Sequence, residues 1–318
     1  MKRNKKLKGS ALQNRSKDIR MRSIAIGIGV VLMITGAIGI LHNMRSSGEW
    51  SVSDEGVLSY DLPEKADYSI TEAKMTENGN ALKYLTFTSE HSIIQGLMRL
   101  PLSDKKVPGI VVLPGAGTAK EEQQGLASDL ADMGYATITI DQRNQGVVNP
   151  ETDLQLFEEG KGPFEYSMVY DALMAAEVLR DQKEVDPENI AMLGISNGGR
   201  FAIIATALDP RIKGVIGIST SGYQTGAIDK NRINENAYKF YRSIDPDNYI
   251  ATISPRKVVL IHAINDTIVP YSMAEVTFEL AKAPKAMYTV NGSIHGYSPS
   301  AKGELEKELA IIFDQWPE

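Results

Sequence analysis

Cysteine is absent from this 318-residue chain, which excludes disulfides, thiolate zinc sites and a cysteine nucleophile. If the chemistry is nucleophilic, a serine has to carry it. Histidine is almost as scarce, with four in the whole chain, so an imidazole base has few places to sit. Long uncharged runs are missing except for one, residues 23–41, where nineteen positions pass without Asp, Glu, Lys or Arg. As a helix that run is about 28 Å long, enough to span the hydrocarbon core of a bilayer.

Residues 1–22 carry nine Lys or Arg against a single acid, Asp18. Positive charge ahead of an apolar span places the N-terminus in the cytoplasm. The expectation is therefore a basic cytoplasmic arm (1–22), one transmembrane signal-anchor helix (23–41), a linker (42–66) and a large domain (67–318) on the outer side of the cell membrane. A cleaved signal peptide is the main alternative, but its apolar region is shorter and ends in a small-x-small site, which GAIGILHN does not offer. A buried core helix is the other, and few of those are apolar all round. Nine positive charges and one negative make the arm +8, which against −6 for the whole chain leaves −14 for the rest. That balance disfavours nucleic acid as a partner and fits a domain whose membrane contact is made by its helix.

Residues 185–199, VDPENIAMLGISNGG, pack an apolar strand, a tight turn and a helix start into fifteen positions. Within them Gly194-Ile195-Ser196-Asn197-Gly198 matches G-x-S-x-G, the pattern of a serine held on a strained strand-to-helix turn. Side chains at the glycine positions would collide with the neighbouring strand and helix. The surrounding chain is organised to suit such a turn. Apolar alternation at 83–87 and 93–100 predicts an antiparallel hairpin at one edge of a sheet. Short β-branched runs follow at 109–113, 136–140, 190–193, 214–218, 257–261 and 287–290, with helical stretches at 120–133, 165–181, 198–208, 272–281 and 302–315. Strands alternating with helices predict a mainly parallel central sheet with helices on both faces, and ligands beyond the C-terminal strand ends. Residues 221–254, polar and rich in tyrosine, break the rhythm and read either as a small lid or as a packed surface excursion.

A serine hydroxyl needs a histidine within hydrogen-bond reach and a carboxylate that fixes its tautomer. His42 falls at the membrane boundary, His91 in the hairpin and His262 inside a strand. His295 remains, in the glycine-rich loop after the last strand. Asp266 follows the strand between serine and histidine, with Asp245 and Asp247 as substitutes. Ser196, Asp266 and His295 thus occur in the order serine, acid, histidine, each at the C-terminal end of a strand. Asp141 and Arg143 read as an ion pair or turn bracing the loop after 136–140. Lys120 does not complete a phosphate loop, because G-x-x-x-x-G-K-[ST] is not satisfied.

VVLPGAG, DQRNQG, the serine elbow, IHAINDTIVP and the terminal IHG together resemble the α/β-hydrolase family, in its dienelactone hydrolase-like and prolyl-oligopeptidase-like branch, over residues 82–315. The resemblance implies a Ser-His-Asp hydrolase acting on a small acyl ester, less often an amide or thioester, without metal or organic cofactor. It also implies an oxyanion hole made by the Ala116 and Asn197 N–H groups. Two departures stand out: Pro114-Gly115-Ala116-Gly117 where the family commonly has His-Gly-x, and His262-Ala263 where it commonly has His-Gly. The first bears on the shape of the oxyanion loop. A serine peptidase or thioesterase is the alternative on the same fold, and a non-catalytic binding or scaffold protein the alternative of another class.

Overall fold

The computed structural model describes residues 49–314. The expected basic arm and membrane helix lie outside the described residues, as does the first part of the expected linker. Among the described residues no helix is long and apolar enough to cross a membrane. The rest of the linker is not a linker. β1 (Trp50–Val52) and β2 (Leu58–Tyr60) form a two-stranded antiparallel ribbon. Trp50 stacks on Phe157 with ring centroids 5.7 Å apart, and the buried Leu58 donates its N–H to Tyr249 Oη at 2.8 Å. Two apolar anchors in an otherwise polar stretch are enough to fasten the ribbon, and they leave no periodic signal.

The main sheet starts with an antiparallel meander, β3 (Tyr68–Met75), β4 (Ala81–Ser89) and β5 (Ser92–Leu100). β6 (Val107–Leu113), α1 (Gln124–Asp132), β7 (Ala136–Ile140), α2 (Pro150–Glu158) and α3 (Phe164–Arg180) follow. Then come β8 (Val185–Ile195), α4 (Asn197–Leu208), β9 (Ile212–Ile218), α5 (Glu235–Ser243) and β10 (Lys257–Ala263). The chain closes with α6 (Tyr271–Leu280), β11 (Lys285–Val290) and α7 (Lys302–Ile312). The spatial order is β11-β10-β9-β8-β6-β7-β5-β4-β3, parallel from β11 to β7 and antiparallel beyond. This is the mainly parallel sheet expected from the alternation of strands and helices, and it agrees with the α/β-hydrolase fold that the motif resemblance implies. One edge differs from expectation. β3, not the β4–β5 hairpin, is the outermost strand, and because nearly every residue of it is exposed it carries no apolar alternation by which it could be read.

Successive residues of β6 serve opposite faces of the sheet, as the two-residue period requires. Val111 and Leu113 join the core formed with α3 and α4, while Ile110 and Val112 join the core formed with α1 and α7. Both faces are therefore covered, and β6 is buried from end to end. From β6 the chain moves to β7 on one side and then returns across β6 to β8 on the other. That reversal opens a crevice above the C-terminal ends of β6 and β8, the position where such sheets hold ligands.

Ion pairs fasten the loops at this end. Lys120, buried, sets its Nζ 2.7 Å from Asp141 Oδ2 and its N–H 3.0 Å from Oδ1. Arg143 forks onto Asp171 with Nε–Oδ2 2.8 Å and Nη2–Oδ1 2.9 Å, and its Nη2 also lies 3.0 Å from Glu90. Asp141 and Arg143 thus brace the loop after β7 as expected, but each through a partner of its own rather than with one another. The segment 221–254 contains α5 and packs inward: Phe240 meets Phe157 and Tyr166. Asp245, the first substitute acid, accepts from the Tyr223 and Thr225 N–H groups.

Near the N-terminus of α3, Glu165 is buried and one of its oxygens has no hydrogen-bond partner. Burial first, and then the nearby Asp153, push its carboxyl up to about 8. A raised carboxyl stabilises the native state while it stays protonated there, so its contribution is complete below the unfolded value near 4.5 and is lost as pH rises through about 8. Urea unfolding between pH 5 and 9 is expected to show stability falling with pH in the wild type, by up to about 1.4 kcal/mol per unit from this group. In Glu165→Gln that component of the fall disappears.

Candidate active site

β8 ends directly at Ser196, whose φ of 54° and ψ of −121° lie outside the conformations favoured by L-residues. The turn is held by backbone and side chain together. Ser196 N–H donates to Ile218 O at 2.9 Å, while its own carbonyl accepts from the N–H groups of Gly199 and Arg200 and from Thr220 Oγ1 at 2.7 Å. The flanking glycines are needed for space. A Cβ on Gly198 would stand 2.3 Å from the carbonyl oxygens of both Leu113 and Pro114, and one on Gly194 would stand 2.2 Å from Gly198 O. The collisions inferred from the sequence pattern are therefore with backbone that has nowhere to go.

Asp266 lies three residues beyond the end of β10 and is 6 % exposed. Its Oδ1 accepts the N–H groups of Ile268 at 2.9 Å and Val269 at 3.1 Å. Its Oδ2 lies 2.8 Å from Nδ1 of His295, which follows β11. Burial works against ionisation of Asp266, but the bonds from His295, Ile268 and Val269 outweigh it and hold the carboxyl below its ordinary value. Gly296 N–H donates to Ser219 Oγ at 3.0 Å and so fixes the chain immediately after His295. Ser196 and His295 line one cavity of about 500 Å³, together with Gly115, Ala116 and Ile195. The acid, histidine and serine ends of three strands are thus gathered at one place.

Of the two residues expected to form the oxyanion hole, Ala116 lines the cavity, and Asn197 is the first residue of α4, where an N–H has no carbonyl within the helix to bond. The loop carrying Ala116 has Pro114 where histidine is common, and is fixed by other means. Gln142 Nε2 donates to Pro114 O at 2.7 Å, Gly117 N–H to Gln145 O at 2.8 Å, and Thr118 Oγ1 to Gly115 O at 2.8 Å. Asp247, the second substitute acid, accepts from Gln224 N–H and lies in the 221–254 segment, no residue of which lines this cavity.

Two contributors escaped sequence reasoning. Gln142 left no signal beyond its place after β7. His262 did leave one, its spacing of four residues before Asp266. The ring is 1 % exposed, with Nε2 2.8 Å from Val269 O and 3.4 Å from Asp266 Oδ2. Burial lowers its pKa despite the pull of Val269 O and Asp266, so the ring is neutral and Nε2–H donates to the carbonyl. Among the described residues its Nδ1 has no partner, as suits a bare lone pair.

The acetyl xylan esterase (AXE1) family model matches residues 58–225, more than half of the chain. The chain belongs to the acetyl xylan esterase family. The matched residues include Ser196, Ala116 and Asn197 but stop short of Asp266 and His295. Among solved structures, acetyl xylan esterase 1 from Thermoanaerobacterium sp. JW/SL YS485 is similar with a TM-score of 0.62 and 15 % identity, covering 80 % of this chain and 89 % of that one. The acetyl xylan esterase from Paenibacillus sp. R4 gives 0.64 and 18 %, covering 78 % and 89 %. At these identities the likeness is one of fold. The Escherichia coli (strain K12) protein YfhR is 31 % identical over 166 residues, 51 % of this chain and 58 % of its own length. This chain thus spans little more than half of that relative. The α/β-hydrolase expectation holds, and the family is one that the sequence motifs did not single out.

Space at the elbow is tested by contrast. Gly198→Ala is expected to lower the thermal midpoint by at least ~5 °C or to prevent soluble expression, since its Cβ meets backbone. Gly303→Ala, in α7 where a Cβ meets nothing within 4 Å, is expected to stabilise by roughly 0.5–1 kcal/mol. Thermal unfolding of the two variants side by side decides.

Proposed function

We propose that the chain is a carboxylic ester hydrolase that works through an acyl-serine intermediate on Ser196. The observation that carries the reading is the 2.8 Å hydrogen bond between Asp266 and His295, the histidine lining the same cavity as Ser196. With Nδ1 of His295 donating to Asp266, Nε2 is left to accept the Ser196 proton as Oγ attacks the ester carbonyl. Negative charge gathering on the carbonyl oxygen is met by the N–H groups of Ala116 and Asn197. A donor of this kind is worth about 3–4 kcal/mol in a well-studied protease. His295 then passes its proton to the leaving alcohol, and a water activated by the same ring releases the acid and restores Ser196.

The cavity's volume of about 500 Å³ suits a small ligand, and its wall mixes Leu126 and Ile195 with Thr118, Glu122 and Gln123. That lining supports a short acyl group on a polar, hydroxyl-bearing alcohol. Family membership supports the same reading, since acetyl esters of a carbohydrate are what the family is named for. In the second part of the proposal, residues 23–41 anchor the enzyme in the cell membrane with its domain outside, a reading supported by the charge pattern of the sequence alone. Protease accessibility of intact cells together with the mature N-terminal sequence tests it, and a start beyond residue 41 replaces the anchor by a signal peptide.

The full chain is expected to hydrolyse p-nitrophenyl acetate and to lose kcat on the order of 10⁶-fold in Ser196→Ala, with a smaller loss in Asp266→Asn. Equal rates in wild type and Ser196→Ala end the proposal. Faster turnover of aminoacyl p-nitroanilides or acyl thioesters than of the acetate redirects it to a peptidase or a thioesterase.

A further inference from the structure

His295 sits between two glycines with positive φ, Gly292 at 115° and Gly296 at 126°, in a loop that is exposed or half-buried throughout. Such a loop is free to drift unless tied down on both sides. On one side the ties are the Asp266 carboxylate and Ser219 Oγ. On the other, Tyr297 Oη–H donates to Asp129 Oδ2 at 2.9 Å, and Lys302 Nζ donates to Asp129 Oδ1 at 2.7 Å. Asp129 belongs to α1, the helix that follows the Ala116 loop, whereas Tyr297 and Lys302 belong to the chain that leaves His295. All of Asp129, Tyr297, Ala116 and His295 border the one cavity. A single carboxylate therefore joins the wall that follows the oxyanion loop to the wall that bears the base.

We propose that Asp129 is a positioning residue for His295, acting through Tyr297 and Lys302 to fix the histidine loop against α1. The inference rests on the esterase reading above. Its physical basis is that Asp129 offers one oxygen to each donor, so the two bonds do not compete and the chain is held at two points five positions apart. Burial, and the carboxylate receiving its proton, push the Tyr297 phenol above its ordinary value, so it remains a donor throughout the working pH range. When the tie is cut, the substrate site is left in place but His295 is displaced from the serine. Misplacement of a catalytic group by about 1 Å costs up to 10²-fold in rate, so the effect belongs in kcat rather than KM.

The test uses the full chain as wild type, Tyr297→Phe, Asp129→Asn and the double variant. A fluorophosphonate titration counts competent serines, and p-nitrophenyl acetate kinetics then give kcat per competent serine. The expected result is a fall of about 10-fold or more in kcat per titrated site for Tyr297→Phe, with KM within about twofold. The double variant is expected to be no worse than the weaker single, because both remove the same connection. Three outcomes overturn the proposal. In one, kcat per titrated site is unchanged in both single variants. In another, the loss appears only as fewer titratable serines and a lower thermal midpoint, which is a structural role. In the third, Asp129→Asn raises KM while Tyr297→Phe is silent, which makes Asp129 a substrate contact. A wild type that neither labels nor turns over ester overturns the proposed function instead, and this inference with it.

Discussion

The contact on which the site depends lies beneath Ser196, where the carbonyls of Leu113 and Pro114 occupy the space a side chain at position 198 would need. It follows from topology. β6 and β8 are neighbours although β7 lies between them in sequence, and both end at the same level, so the loop leaving β6 must pass over the helix that starts from β8. The absence of a Cβ at Gly198 lets the two cross. The crossing then brings the Ala116 loop beside Ser196, and the two N–H groups of the proposed oxyanion hole come from the two sides of a single contact.

Around that contact, polar bonds rather than apolar burial hold the loops. Gln142 holds Pro114, Lys120 holds Asp141, Arg143 holds Asp171, and Ser219 holds Gly296. Apolar cores are confined to the two faces of the sheet, which fix the strands but reach little past their ends. Directional bonds are better suited to the ends, because they set orientation as well as distance. The same logic accounts for His262: a neutral ring buried beside Asp266 supplies one donor to the acid loop at Val269 without adding charge to the carboxylate's surroundings.

Much of this was legible from residue order. The short β-branched runs became β6 to β11, and Ser196, Asp266 and His295 follow the ends of β8, β10 and β11, whose residues Leu193, Ile261 and Met287 lie in readable runs. β3 was not legible, since an exposed edge strand has no buried face to impose alternation. Nor was the β1–β2 ribbon, which hangs on Trp50 and Leu58. α2 carried cues that could have been used, Asn149 as a capping residue that accepts Thr152 N–H and Pro150 at the first turn. Lateral partners such as Gln142–Pro114 and Asp129–Tyr297 are separated by 28 and 168 positions, and no local pattern can disclose them.

The backbone of Ser196 has one last implication. A residue held at φ 54° and ψ −121° is strained by roughly 1–3 kcal/mol, and glycine alone would rest there comfortably. The fold therefore spends conformational energy at the very position from which the proposed chemistry issues. A chain released from that chemistry would gain stability by giving up its serine, so retention of serine at the turn runs against the folding preference of the turn itself.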